Sequence, residues 1–128
     1  MFISTLTNAQ KADDIIGKYR LPNGLDVEIF KAGTSFSGKI IALNGYEDGE
    51  TKDVKNPDKA KRNDPLVGKI ILEGLKFNPE DYTWIEGNLY GAEKGIFLNL
   101  EVAEMKEKEI TVVGSKYIFH KTLVWKKI

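Results

Sequence analysis

The chain has 128 residues, no cysteine, and 19 basic side chains balanced by 19 acidic ones. This length suits a single domain, and the balanced charge gives no electrostatic reason to expect nucleic acid as a partner. The lack of cysteine excludes a disulfide framework, a thiol nucleophile and a cysteine-ligated metal. No apolar run in the sequence approaches the roughly 20 residues of a transmembrane helix, so no transmembrane segment is predicted.

The first ten residues differ from the rest because they carry no charged side chain, and charge begins at Lys11. Thr7 and Ala9 place small side chains at positions −3 and −1 of a cleavage after Ala9. These features are typical of the end of a secretory signal. We therefore expect residues 1–10 to be a signal-peptide remnant or a disordered N-terminus, and residues 11–128 to form one β-barrel domain.

Apolar and polar residues alternate along most of the chain, which predicts β-strands, and Gly, Pro and Asn between them predict turns. In chain order, the predicted strands are residues 15–21, 25–29, 36–43, 67–77, 82–90, 95–102, 110–115 and 117–127. Most of the connections are short. Short sequential connections favour an antiparallel meander.

Eight meandering strands close most naturally into a barrel, because closure removes the exposed edges of the sheet. The predicted fold is therefore all-β, a single antiparallel up-and-down barrel of about eight strands with one long loop that carries a short helix. A two-sheet sandwich is the alternative. Side chains fill an eight-stranded barrel or leave room for one small ligand, and the sequence leaves both interiors open.

The long connection at residues 53–68 is polar and rich in turn residues. Loops of this length in a small domain are usually functional or disordered. Asn56 is predicted to be a helix N-cap, with Pro57 at the first helical position of a helix over residues 57–62. We expect four residues to shape this structural loop: Asn56, Pro57, Pro65 and Gly68.

The same loop contains the best polar candidates for ligand binding, which are Asp53, Asp58 and Arg62. Asp58 and Arg62 are four residues apart, so a helix would place them on one face. Arg62 could then bind a ligand carboxylate or phosphate through two hydrogen bonds. The alternative is a structural role, in which these charges and caps fasten the loop across the barrel mouth.

Aromatic residues give a second set of candidates. Tyr82, Trp84 and Tyr90 are separated by even numbers of residues, so a regular strand places them on one face. If that face looks into the barrel, they line an apolar ligand pocket. The alternative is a core that these side chains fill completely.

Several kinds of chemistry find little support in the sequence. His120 is the single histidine, and no Gly-x-Ser-x-Gly motif is present, so a hydrolase with a catalytic triad is disfavoured. The acidic residues from Asp48 to Asp53 do not have the spacing of a calcium loop. We therefore predict no catalytic residue, no metal and no cofactor.

A pattern of glycines, prolines and aromatic residues extends from Gly17 to Trp125. Its most specific part is Asn56-Pro57-Asp58, Arg62 and Pro65-Leu66-Val67-Gly68. Through these residues the chain resembles a family of small exported bacterial proteins known as domain of unknown function 2147. The resemblance implies a lipocalin-like (calycin) β-barrel and export to the periplasm or cell envelope of a bacterium. It implies no established activity.

The leading hypothesis is a non-enzymatic exported barrel that binds a small apolar molecule or an envelope component. One alternative is a protein–protein interaction module of the cell envelope that uses the loop at residues 53–68. A hydrolase is a third, disfavoured alternative. The identity of the ligand and the oligomeric state are left open.

Overall fold

The computed structural model of the protein describes residues 11–128, so the predicted signal remnant lies outside the described residues. Within them the chain forms eight strands: β1 (Gly17–Arg20), β2 (Leu25–Ala32), β3 (Ser35–Leu43), β4 (Ile70–Asn78), β5 (Thr83–Gly91), β6 (Ile96–Met105), β7 (Glu109–Lys116) and β8 (Phe119–Lys127). Short 3-10 turns lie at Asp13–Ile15, Tyr46–Gly49 and Lys59–Lys61. None of the helical turns in this part of the chain has the length and apolarity needed to cross a membrane.

Each strand pairs antiparallel with its neighbour in sequence, and β1 also pairs with β8, so the sheet is a closed barrel. The predicted meander and barrel are confirmed, and the sandwich alternative is wrong. The seam between β1 and β8 is short, because only Tyr19 with Lys127 and Arg20 with Lys126 are in register there.

The segment that precedes β1 plugs one end of the barrel. Ile15 is fully buried there, and the indole Nε1 of Trp84 donates a hydrogen bond to the carbonyl oxygen of Ala12 at 3.0 Å. The hydroxyl of Tyr19 donates to the carbonyl oxygen of Ile15 at 2.8 Å. The sequence predicted a strand from residue 15, but Ile15 lies in a 3-10 turn, and β1 begins at Gly17.

The half of the barrel next to this plug is filled by large side chains, including Tyr19, Phe36, Leu72, Leu75 and Trp84, each at most 2% exposed. The strands approach closely in this half. A Cβ atom added to Gly87 would lie 2.9 Å from the carbonyl oxygen of Leu100 and 3.0 Å from Cδ1 of Leu75. Glycine therefore allows β5 to pack against the filled interior.

The strand β5 contains an irregularity between Trp84 and Gly87. Glu86 has a φ of 65°, a left-handed conformation that a regular strand does not contain. Such a bulge reverses the alternation of faces beyond it, so Trp84 and Tyr90 point to opposite sides of the sheet. Tyr82 precedes β5 and also has a positive φ, of 56°. The prediction of one shared face for these three aromatic residues is wrong.

Candidate functional site

The half of the barrel away from the plug is hollow and opens at its mouth. It contains a cavity of about 490 Å³, which falls within the usual range of small-molecule sites. Its wall is mostly apolar and includes Leu21, Leu25, Ile71, Leu89, Leu98, Leu100, Val112, Leu123 and Trp125. The interior is therefore packed in one half and hollow in the other.

The cavity exists because the side chains of its wall are too short to meet. Leu89 and Leu98 face each other across β5 and β6, and both are only half-buried. Gly91 and Gly114 contribute no side chain to the wall. In the packed half, by contrast, the corresponding space holds aromatic rings.

The rim of the cavity carries more positive than negative charge. Lys94, Lys116 and Lys121 border it together with His120, and Glu93 is the acidic residue there. An apolar interior behind a cationic rim suits a molecule with an apolar body and a polar or anionic end. The cavity can remove an apolar group from water and place a polar group at its charged rim. Both are properties of small-molecule binding sites.

Asp53 lies at the centre of a polar cluster beneath the long loop. Its carboxylate is 1% exposed, accepts from the Tyr90 hydroxyl at 2.8 Å and accepts from the Asn56 amide nitrogen at 2.7 Å. The Nζ of Lys69 lies 3.3 Å from the same carboxylate and balances its charge. Burial, and then the bond to Asp53, raise the pKa of Tyr90, so this hydroxyl remains a donor.

This cluster lies on the outer face of the barrel. Leu89 and Leu98 are a cross-strand pair that lines the cavity, and Tyr90 and Phe97 are the next pair. Since successive residues point to opposite faces, Tyr90 and Phe97 face outward, with ring centroids 5.0 Å apart. Within the described chain, residues 44–70 contribute nothing to the cavity wall. The loop therefore lies beside the mouth, and the expectation that it crosses the mouth is wrong.

The predicted helix in the loop is reduced to a single 3-10 turn, Lys59–Lys61, with Asp58 as its N-cap. The Asp58 carboxylate accepts from the N–H of Ala60 at 3.0 Å. The side chain of Asn56 instead accepts from the N–H of Asp58 at 2.8 Å and encloses Pro57 in a tight turn before the helix. The assignments of Asn56 as N-cap and Pro57 as first helical residue are therefore wrong.

The other predicted loop residues make contacts within the fold. The Nε of Arg62 donates to the carbonyl oxygen of Asn56 at 2.8 Å. Pro65 forms an isolated β-bridge with Lys52, and the N–H of Gly68 donates to a carbonyl oxygen of β3 at 2.7 Å. These contacts are consistent with fastening of the loop, while a ligand-binding role stays a prediction for Asp53, Asp58 and Arg62.

Two of the three predicted aromatic residues lie at the plugged end. Trp84 is fully buried, and the Tyr82 hydroxyl donates to the carboxylate of Asp14 at 2.5 Å. Burial, with a further contribution from Asp14, raises the pKa of Tyr82 to about 12. Tyr90 lies at the edge of the cavity, but its side chain points to the outer face, where its hydroxyl donates to Asp53. The structure therefore does not assemble these three residues into one pocket.

Sequence reasoning missed most of the residues that line the cavity. The signal that could have found them is the alternation in β6, where Leu98 and Leu100 point the same way, combined with the small residue Gly114 on the facing strand. Leucines opposite a glycine indicate spare volume. The aromatic residues that the sequence favoured as candidates include Trp84, which lies in the filled half of the barrel.

A closed eight-stranded meander with one plugged end and one hollow end is the architecture of a lipocalin-like barrel. The chain belongs to the family described as "Uncharacterized protein conserved in bacteria (DUF2147)", whose sequence model matches residues 17–127. The family resemblance is thus confirmed.

Among solved structures, the chain is similar to protein HP1028 from Helicobacter pylori, which is described as belonging to the lipocalin family. The two chains are 22% identical with a TM-score of 0.76, and the match covers 89% of this chain and 82% of that chain. At this identity the similarity shows the fold alone. No curated protein matches the chain.

Proposed function

We propose that the protein is a non-enzymatic binding protein that holds one small apolar or amphiphilic molecule in the open half of its barrel. The observation that supports this proposal is the cavity of about 490 Å³ with its leucine-rich wall. Each Å² of apolar ligand surface removed from water there contributes roughly 25 cal/mol. Because the cavity is already formed, little reorganisation opposes binding.

The distribution of polar groups favours one orientation of the ligand. Val112 and Trp125 are almost fully buried in the cavity wall, whereas Lys94 and Lys121 stand at the rim. A linear molecule would therefore place its apolar tail among the leucines and its polar end near the lysines. A medium-chain fatty acid and the matching alcohol are suitable probes, because they share a tail and differ in charge.

Two neighbouring residues of β8 provide a matched test. Leu123 lines the cavity, while Val124 is the next residue along the strand, points outward and is 36% exposed. Isothermal titration with dodecanoate and dodecanol should show one site in the wild type. Leu123→Trp fills the cavity and should abolish binding of both probes, whereas Val124→Trp adds the same side chain outside and should bind like the wild type.

Either of two results contradicts the proposal. One is that neither probe binds to the folded wild-type protein at any accessible concentration. The other is that Leu123→Trp binds both probes as the wild type does while remaining folded, because the site would then lie outside the barrel. A ratio of dodecanoate to dodecanol affinity above one would additionally support a role of the rim lysines.

A second candidate function is recognition of an envelope protein by the loop. Its outer surface exposes Val54 and Val67, which are 44% and 49% exposed. Cross-linking in the native envelope, compared between the wild type and Val54→Asp, tests this possibility. A cross-linked partner that disappears in the variant while dodecanoate binding persists would favour it over the cavity.

We further propose that the protein is exported to the bacterial envelope. The uncharged residues 1–10 and the small side chains of Thr7 and Ala9 support export. Mass spectrometry of the protein from the envelope fraction of its host tests the cleavage. A mature N-terminus at Gln10 is expected, and a form that still begins before Gln10 contradicts cleavage there.

A further inference from the structure

The turn between β7 and β8 presents three consecutive apolar residues to solvent. Tyr117, Ile118 and Phe119 are 87%, 83% and 73% exposed. Single exposed apolar residues are normal, but a contiguous apolar patch indicates an interaction site. The patch stands at the mouth of the barrel, because Phe119 also borders the cavity.

Basic side chains surround this apolar tip. Residues 110–125 contain Lys116, His120 and Lys121 but no Asp or Glu. The Nζ of Lys116 lies 5.5 Å from the centre of the Tyr117 ring and donates to the carbonyl oxygen of Phe97 at 2.8 Å. Positive charge is therefore held directly beside the exposed ring.

The next turn along the rim extends the patch on one side. Phe97 is 49% exposed on the outer face, and its backbone already contacts Lys116. Lys94 adds a positive charge to this part of the rim, where Glu93 is the one acidic residue that lines the cavity. The open end therefore combines apolar tips with an excess of lysine.

The turns at the plugged end lack this combination of apolar and basic residues. The turn between β4 and β5 contains Glu80 and Asp81, and the turn between β6 and β7 is Lys106-Glu107-Lys108. Neither turn exposes a run of apolar residues like residues 117–119. An apolar, basic tip is thus a feature of one end of the barrel among the described residues.

We propose that residues 116–121 dock the open end of the barrel onto an anionic lipid surface. Tyr117, Ile118 and Phe119 enter the interfacial layer, while Lys116 and Lys121 contact the headgroups. The Tyr117 ring and the lysine side chains suit this layer, because each combines an apolar body with a polar end. Anionic lipids attract lysines that lie close to the membrane surface.

A bilayer fits this tip better than a protein groove does. The tip is a protruding turn between two strands, and its three apolar side chains do not form a surface that would be complementary to a groove. A lipid interface accepts apolar groups without shape complementarity. Docking would also turn the cavity mouth toward the lipid. The inference does not depend on the proposed cavity ligand, because Tyr117 and Ile118, the two most exposed residues of the tip, do not line the cavity.

Co-sedimentation with lipid vesicles tests the docking. Vesicles of phosphatidylcholine with phosphatidylglycerol should sediment the full-length protein, and vesicles of phosphatidylcholine alone should sediment much less. The variant Tyr117→Asn/Ile118→Ser/Phe119→Ser should bind about tenfold more weakly or worse. Asn is chosen at Tyr117 because the φ there is 57°, which Asn tolerates.

A control variant removes two exposed apolar residues elsewhere, Val54 and Val67, which are 44% and 49% exposed. Val54→Ser/Val67→Ser, in the long loop, should sediment with anionic vesicles as the wild type does. Lys121→Gln should weaken binding only to anionic vesicles, and added salt should have the same effect. In Ile118→Trp, the emission of the new tryptophan should shift to shorter wavelength when anionic vesicles are added.

Three results would overturn the docking proposal. The wild type could fail to sediment with anionic vesicles, or the tip variant could sediment as well as the wild type. Light scattering could also show a dimer that the tip variant loses, which would mean that a second copy of the chain covers the patch. Loss of dodecanoate binding would bear on the cavity alone and would leave the vesicle results intact.

Discussion

The two halves of the barrel are built from the same eight strands and differ in what fills them. The plugged half contains Tyr19, Phe36 and Trp84, with Ile15 closing the end, and all four are at most 2% exposed. The open half contains a cavity of about 490 Å³ whose wall includes six leucines. The alternation of apolar residues decides which side chains face inward, and the size of those side chains decides whether the space is filled.

The two halves also differ in how much they stabilise the fold and in whether they leave room for a ligand. In the packed half, large side chains interlock and supply the contacts that stabilise the fold. In the open half, apolar surface is left without partners, so the fold gains less there. A ligand that enters the cavity supplies the missing contacts and should raise the stability of the whole protein.

The largest expected effect comes from truncating one leucine in each half. Leu72 is fully buried in the packed half, so Leu72→Ala should lower the free energy of unfolding by about 3–5 kcal/mol. Leu98 faces the cavity and is half-buried, so Leu98→Ala should cost about 1 kcal/mol. Urea denaturation measures both. Equal losses would mean that the open half is as tightly packed as the plugged half.

The second effect concerns the loop beside the mouth. Asp53→Asn removes the charge that pairs with Lys69 and disturbs the bond from Tyr90, so we expect a loss of about 2–3 kcal/mol in the free energy of unfolding. Asp48→Asn, at an exposed position shortly before this loop, should be neutral. Dodecanoate binding should survive in both variants, because the loop does not line the cavity.

The opposite outcome for Asp53→Asn would be informative. Unchanged stability with lost dodecanoate binding would support the prediction that the polar residues of the loop recognise a ligand. It would also remove the distinction between a binding cavity and a structural loop.

Two glycines give a third, smaller test of the comparison. Gly87→Ala would bring a Cβ within 2.9 Å of a backbone oxygen in the packed half and should cost about 1–2 kcal/mol. Gly114→Ala meets only the end of the Leu98 side chain, which can move into the cavity, so it should stay within about 0.5 kcal/mol of the wild type. Thermal unfolding compares the two, and a larger loss for Gly114→Ala would contradict a hollow open half.

The smallest effect is a pH dependence from the packed half. Burial, with a contribution from Asp14, raises the pKa of Tyr19 to about 12 from its usual value of 10.0. Above the usual value the unfolded chain loses this proton while the folded protein keeps it, so stability falls as the pH rises toward 12. At about pH 11 the loss of stability that is due to Tyr19 is about 1 kcal/mol.

Replacement of Tyr19 isolates this contribution, because burial also raises the pKa of Tyr46 to about 12. Tyr19→Phe should show a shallower loss of stability between neutral and alkaline pH than the wild type. Parallel curves for Tyr19→Phe and the wild type would contradict the assignment.

The sequence was sufficient to predict the barrel because the signals that specify it are local. Apolar residues alternate along β2 and β6, and turn residues such as Asn23 and Gly24 stand between strands, so strand order followed from neighbours alone. The side chain of Asn23 accepts from the N–H of Leu25 at 3.1 Å, which is the local turn chemistry that the residue type indicates.

The candidate site could be predicted only in part because its geometry is not local. The left-handed Glu86 breaks the alternation of β5 and turns Tyr90 outward, and no rule of even spacing anticipates that. Asn56 could cap a helix by its type, but its Oδ1 accepts from the N–H of Asp58 in a turn, and its Nδ2 donates to the buried carboxylate of Asp53. The cavity depends on side-chain sizes from several strands at once, which a pattern within one strand does not contain.

Quenching of tryptophan fluorescence by a brominated fatty acid tests most directly whether the open half alone takes up a ligand. Trp125 lines the cavity, and Trp84 is buried at the plugged end with its indole bonded to Ala12. In Trp84→Phe, the remaining Trp125 should be strongly quenched, and in Trp125→Phe, the remaining Trp84 should be little affected. Equal quenching of the two tryptophans, or no quenching of either in folded protein, would contradict the claim that one half of the barrel is packed and the other half takes up a ligand.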